Sequence, residues 1–227
     1  MSKLVWDVIG TKLWETGVDR VVLFPIASDG SHEAGVAWSG VTAINESPSG
    51  AEPTKIYADN IVYGVVMSPE EDALTIEAFT YPDEYAACIG EAVVGTGAII
   101  KQQSHKHFGL VYRTMVGNDT EGIDDNNYKI HIFWDCVAGS SEDGNSTIND
   151  SPEQKTFSWS VTTLPVSATG FRPTASMVID STKIASGKLT QIENLLYGTD
   201  ADTTNNVTAT TASLPDFDTL KGIITAT

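Results

Sequence analysis

The 227-residue chain carries 30 acidic and 13 basic residues, a formal charge of −17, and only two cysteines. That balance argues against a grip on nucleic acid, because phosphate contacts need Lys and Arg. No stretch is apolar for long enough to cross a bilayer as a helix, and the length allows one good core or two small ones. Eight acidic residues and no Lys or Arg lie between Ile56 and Ile100, and Asp119, Glu121, Asp124 and Asp125 stand without a base between Thr114 and Tyr128. Solubility is a sufficient reason for such charge, and a surface that must not hold passing polyanions would need the same. The opening MSKLVWDVIG has no apolar core of a secretory signal, so folding in the cytoplasm is expected. Cys88 and Cys136 match no metal or redox spacing and read as buried free thiols ahead of a disulfide or reactive site.

A composition rich in Thr, Ser, Gly, Val and Ile predicts a mainly β domain. Trp6 and Trp14 precede the first strand, Val18 to Phe24, which Pro25 ends; they read as buried anchors, or else as part of an arm lying on a neighbouring subunit. After a turn at Ser28–Ser31, a second strand is predicted over Val36 to Ile44, with Trp38 in the core. Two prolines and a glycine in Asn45–Pro53 predict an irregular loop. Ile56 to Met67 reads as one or two strands and Ser68–Asp72 as a turn.

The stretch TIEAFTYPDEYAACIG, Thr75 to Gly90, has the most consistent local signals. Alternation to Tyr81 predicts a strand, Pro82 with Asp83 and Glu84 opens a short helix, and Gly90 is a left-handed stop. Phe108 to Arg113 is a strand with Phe108, Leu110 and Tyr112 inward. An acidic loop, 117–127, joins it as a hairpin to Tyr128–Val137, where Ile130, Ile132, Trp134 and Cys136 alternate with Lys129, His131, Phe133 and Asp135. Beyond a polar loop from Ala138 to Glu153, the alternation of Phe157, Trp159 and Val161 with Ser158, Ser160 and Thr162 marks a half-buried strand, and Met177–Asp180 another. Lys188 to Tyr197 is the longer helix, capped by Gly198. Residues 199–213 read as a flexible loop, and Leu214–Thr227 as a short helix after Pro215 or an edge strand. Ile44-Asn45-Glu46-Ser47-Pro48 recurs as Ile148-Asn149-Asp150-Ser151-Pro152, which suits equivalent corners in the two halves of a sandwich or barrel.

No catalytic constellation emerges. His105 and His107 would share a strand face, as two metal ligands can, but nothing nearby is spaced to complete a set with them, His32 or His131. Asp119, Glu121, Asp124, Asp125 and Asn126 read as a solvated hairpin tip without the ordered loop of a calcium hand. Glu70 and Glu71 fall in a predicted turn with no aromatic cleft around them. There is no GxSxG, phosphate-cradling glycine loop or HExxH. The expectation is therefore no catalytic residue, no cofactor and no metal.

Several stretches, in order, resemble the major tail proteins, or tail-tube proteins, of bacteriophages with long non-contractile tails. They are ETGVDRVVLFP (Glu15–Pro25), GVAWSGVTAINESPSGAEPTKIYADN (Gly35–Asn60), Thr75–Gly90 as quoted, FGLVYRTMVGNDTEG (Phe108–Gly122), YKIHIFW (Tyr128–Trp134) and STINDSPEQKTFSWSVTTLPV (Ser146–Val166). The resemblance fades across residues 199–227. It implies one domain over residues 1–227: a two-sheet β-sandwich or barrel of the tail-tube type, with one short and one longer flanking helix. It also implies a virion protein that forms hexameric rings stacking into a tube, assembled in the host cytoplasm with tape-measure, tail-tip and tail-terminator proteins as partners. DNA would pass through an acidic lumen without specific binding, and no membrane is involved. By the same resemblance, residues 45–60 are the first candidate for contacts between rings, residues 1–16 and 199–227 are candidate arms, and the helix at 82–89 would pack across the sandwich or at a subunit boundary. The rival expectation is a monomeric β-sandwich module binding carbohydrate or a surface, which predicts an exposed aromatic strip and no ordered self-association. An enzyme would require a pocket with converging polar groups.

Overall fold

A computed structural model describes residues 3–141, 143–145, 147, 150, 154–201 and 208–226, with backbone only at 124–126. Among the described residues there are fourteen strands and three α-helices. In chain order they are β1 (Leu13–Pro25), β2 (Val36–Ala37), β3 (Val41–Glu46), β4 (Ser49–Gly50), β5 (Pro53–Ala58), β6 (Ile61–Met67), β7 (Glu70–Glu71) and β8 (Ala73–Ala78). Then follow α1 (Asp83–Ala86) with a 3-10 turn at Ala87–Ile89, β9 (Ala92–Gly95), β10 (Ala98–Ile100), β11 (Phe108–Asn118) and β12 (Gly122–Ala138). The last elements are β13 (Phe157–Thr163), β14 (Ser176–Asp180), α2 (Ser186–Tyr197) and α3 (Phe217–Thr225).

One antiparallel sheet runs β2-β1-β11-β12-β13-β8-β3, and β14 joins it along β12. The 17-residue β12 serves two neighbours on one edge: Lys129–Phe133 pair with β14, and Cys136–Ala138 with β13. A bulge divides the two stretches, because Phe108 lies opposite Cys136 and Leu110 opposite Phe133. Bulges bend a strand and add twist, and the far strand β3 comes back against β1.

Alternation sends the two faces of the central strands into separate cores. Leu23, Leu110, Tyr112 and Phe133 face β8 and β13, meeting Leu74, Ile76, Trp159 and Trp38. Phe24, Val111, Ile130, Ile132 and Trp134 face the helices, meeting Ile192 and Leu196 of α2 and Leu220 of α3. The short α1 packs onto the first core: Tyr85 is fully buried, its ring centred 4.3 Å from Trp38 and 5.1 Å from Trp159. Gly90 ends the following 3-10 turn at φ 75°. Both cysteines are free and buried in this core, and desolvation pushes the Cys88 thiol up to about 12.

Several expectations need correction. The first strand begins five residues earlier, at Leu13, and the predicted second strand breaks at Trp38–Gly40 into β2 and β3, although Trp38 is buried as expected. The supposed loop 45–53 and turn 68–72 contain β4, the start of β5, and β7. Pro53 is the first residue of its strand, where its missing N–H costs no ladder bond. Gly50 takes φ +81° against the Pro69 carbonyl, where a Cβ would clash. The acidic loop shrinks to Asp119–Glu121 because both strands run on. Residues 214–225 are packed on the body instead of projecting as an arm. Asp216 caps α3 by accepting from Thr219 N at 2.8 Å, Trp134 Nε1 donates to Pro215 O at 2.9 Å, and Leu214 fills the space left by the missing side chain of Gly109. The repeat at 148–152 lies outside the described residues apart from Asp150, as do residues 202–207 of the predicted flexible loop.

If α3 is an integral part of the second core, Leu220→Ala lowers unfolding free energy by about 2–4 kcal/mol, as deletions from a well-packed core do. Chemical denaturation measures this, and a loss under ~0.5 kcal/mol would place α3 outside the cooperative unit.

Candidate interaction surface

The histidines serve packing and local bonding. His32 Nε2 lies 2.7 Å from Trp134 O, His105 Nδ1 2.8 Å from Ala138 O, and His107 Nδ1 2.7 Å from Asp135 Oδ1. Among the described residues no three His, Cys, Asp or Glu side chains gather where a metal could sit. Asp119 accepts from the backbone N–H of Gly10 at 2.9 Å, so part of the acidic hairpin tip tethers the N-terminal segment; the side chains of Asp124, Asp125 and Asn126 lie outside the description. Beside α1 a cleft of about 230 Å³ holds Glu91, Lys101 and Asp143. Its charges are already paired: Lys101 Nζ is 3.4 Å from both carboxylates, and Tyr81 donates to Glu91 at 3.3 Å.

Unburied apolar surface is the larger feature. Between Ser47 and Asp72 the chain forms a projecting arm that prolongs the β3–β8 pair through β4–β7 into the β5–β6 hairpin. Asp59 and Asn60 take φ 51° and 66° at its tip, the left-handed pair that matches strand twist in a two-residue hairpin. That pair, with apolar runs on both sides, is the signal by which the sequence reveals the hairpin. Val65 and Met67 stand on one face, and Ile56 and Val66 on the other. All four are about half exposed or more, and Tyr63 is 74 % exposed. A hairpin apolar on both faces gains nothing in the free chain, whereas burying one such side chain stabilises by about 1.5–3 kcal/mol.

The root of this arm is held by polar contacts. Glu46, the last residue of β3, accepts from Tyr112 OH and lies 2.9 Å from His131 Nδ1, while His131 Nε2 sits 3.1 Å from Thr114 Oγ1. His131 is buried and stacks on Tyr112 at 4.6 Å. The bond to His131, then that to Tyr112, holds the Glu46 carboxyl below its ordinary value of 4.5 against desolvation. On the other side of the root, Ser176 Oγ donates to Asp72 Oδ2 at 2.9 Å. A second polar clamp braces the sheet: Arg113 donates to both oxygens of Asp19, at 2.8 and 2.6 Å, and its guanidinium covers the Tyr128 ring.

Two smaller apolar surfaces accompany the arm. In the N-terminal segment, Trp6 is 73 % exposed, and Trp14, lying across Gly117, is 42 % exposed. Neither Trp is therefore a buried anchor of the free chain. The β9–β10 hairpin exposes Val93, Val94, Ile99 and Ile100. Exposed apolar patches of this extent mark interaction sites in folded proteins. No helix among the described residues is long and apolar enough to cross a membrane. No protein family and no curated protein matches this chain.

Because the depressed Glu46 carboxyl stabilises the fold only while ionised, its contribution is full above the ordinary carboxylate range. It disappears as pH falls through that range to the lowered folded value. Glu46→Gln therefore costs about 1 kcal/mol at neutral pH, a value discounted for the side chain's partial exposure. The gap to wild type closes on acidification in unfolding curves recorded across pH. A gap that widened instead would mean the carboxyl is not held in its charged form.

Proposed function

We propose that this chain is a self-assembling structural subunit of the phage tail-tube type, whose copies join into rings that stack around a lumen conducting DNA. The observation that carries the reading is the β5–β6 hairpin, exposed and apolar on both faces, which a monomer has no physical use for. The fold is compatible with it: a mainly β body whose sheet rolls until β3 meets β1, with flanking helices, is a reasonable sandwich or barrel unit. Surplus negative charge on a lumen wall would repel the DNA backbone and let it slide. In this reading the subunit belongs to the virion, and tape-measure, tail-tip and terminator proteins bound its assembly. The rival sugar-binding module needs one exposed aromatic strip; Trp38, Trp134 and Trp159 are buried, and the exposed Trp6, Trp14, Tyr57 and Tyr63 are divided between the N-terminal segment, β1 and the arm.

Negative-stain electron microscopy across a concentration series, with mass from light scattering, tests the reading. Hollow rings or tubes are expected. A strictly monomeric chain at every concentration would overturn it, and saturable binding to a glycan would then favour the rival module. Val65→Asp should raise the assembly threshold at least tenfold while leaving monomer stability within ~0.5 kcal/mol, since the side chain is exposed in the free chain.

A further inference from the structure

β14 is paired along one edge, to Lys129–Phe133 of β12, and no described strand lies on the other. Beside it two clefts meet at Ile224 of α3 and form a trough. Phe171, Met177 and Phe217 line one part, and Val178 and Ile184 the other. Phe171 and Val178 are exposed. The lining also holds four of the chain's 13 basic residues, Arg172, Lys183, Lys188 and Lys221, against one acidic residue, Asp180. Lys183 pairs with Asp180 at 3.0 Å, Lys188 donates to the carbonyls of Ile224 and Ala226, and Lys221 donates to Thr169 O. In a protein of charge −17, this trough is an apolar site with a local excess of positive charge.

We infer that the trough receives the β5–β6 hairpin of a second copy, with β6 adding as a strand to the free edge of β14; this rests on the assembly reading above. Among the described residues β6 pairs only with β5. On β14 the Ser176 carbonyl already accepts from Thr174 Oγ1 and the Asp180 carbonyl from Lys183 N and Ile184 N, so a docked β6 would meet the edge between them, at Val178. Strand addition draws affinity from main-chain hydrogen bonds and specificity from side chains seated beside the edge. The charges match as well. β6 is seven residues without a charge, bracketed by Asp59 in the turn and Glu70–Glu71 at the root, and the trough offers Arg172 and Lys221 in one cleft and Lys183 and Lys188 in the other. The hairpin's one base, Lys55, lies on β5 and not on β6, and the N-terminal segment is a poorer match because residues 3–12 form no strand.

Reach favours a second copy. The arm's root touches Ser176, at the start of the same chain's β14, through Asp72. Twelve residues separate Asp72 from Asn60 at the tip, roughly 40 Å at about 3.3 Å per strand residue. No arm residue lines the trough of its own chain.

Two half-blocked proteins test this. Val65→Asp with Val66→Asp blocks the arm, and Arg172→Glu with Val178→Asp blocks the trough; all four positions are exposed, so near-UV circular dichroism should match wild type. Each variant alone should be monomeric, with its assembly threshold raised at least tenfold. An equimolar mixture should form a 1:1 dimer and nothing larger, because one intact arm and one intact trough remain. If the trough variant assembles like wild type, or the mixture stays monomeric while wild type assembles, the docking site is wrong and the tube reading stands. Wild type that stays monomeric at every concentration removes both.

Discussion

The structure depends on β12 being buried on both faces at once. Ile130, Ile132 and Trp134 go to the helices, and Phe133, Cys136 and Ala138 to the opposite core. A strand in that position cannot shift by one residue without exchanging its entire side-chain set between cores. The bulge near Trp134–Asp135 is what allows one strand to face both β14 and β13. The proposed arm-and-trough contact rests on that division, because among the described residues β14 pairs only with β12 while β13 carries β8, from which the arm grows.

The arm is an extension of the sheet whose direction is set at its base. Glu46, at the end of β3, and Asp72, between β7 and β8, flank its base, and each is bonded to the body, through Tyr112 and His131 on one side and Ser176 on the other. A hairpin of this length without side-chain packing is marginal alone. Anchoring both strands at the root reduces the entropy that a partner must remove on binding, which is the sense in which preorganisation raises affinity.

How much of this could be read from the residues depended on contrast between neighbours. Residues 157–162 alternate and Pro82 through Gly90 carries helix start and stop signals, so their structure is legible. In 128–137 the alternation holds only as far as Trp134, because the bulge turns Cys136 to the face of Phe133, which no local pattern marks. The 53–67 run offers no such contrast, because apolar residues occupy both faces; a strand could be inferred, but not a projecting one. The exposure of Trp6 and Trp14 is illegible for a related reason: an exposed Trp has the same chemistry as one in the core, and no local pattern separates them. The Glu46–His131 contact spans 85 residues, and no local pattern announces it. α3 was one of two options for the tail, and the Asp216 cap with Leu220 toward the core decides in its favour.

The charge and the apolar arm also constrain each other. Copies of a chain at −17 repel at long range, though salt screens exposed charges beyond about 8 Å at physiological ionic strength. Association of such copies would need short-range attraction confined to a few surfaces, and the proposed trough supplies it with cations set against an acidic-flanked strand. An arm on one copy meeting a trough on another is a contact between unlike patches. Such contacts do not saturate in a pair: they close into a ring when the rotation allows and otherwise continue as a filament. General repulsion combined with one directional attraction therefore disfavours disordered aggregation of the exposed hairpin, while leaving repeated, ordered addition of identical copies open to it.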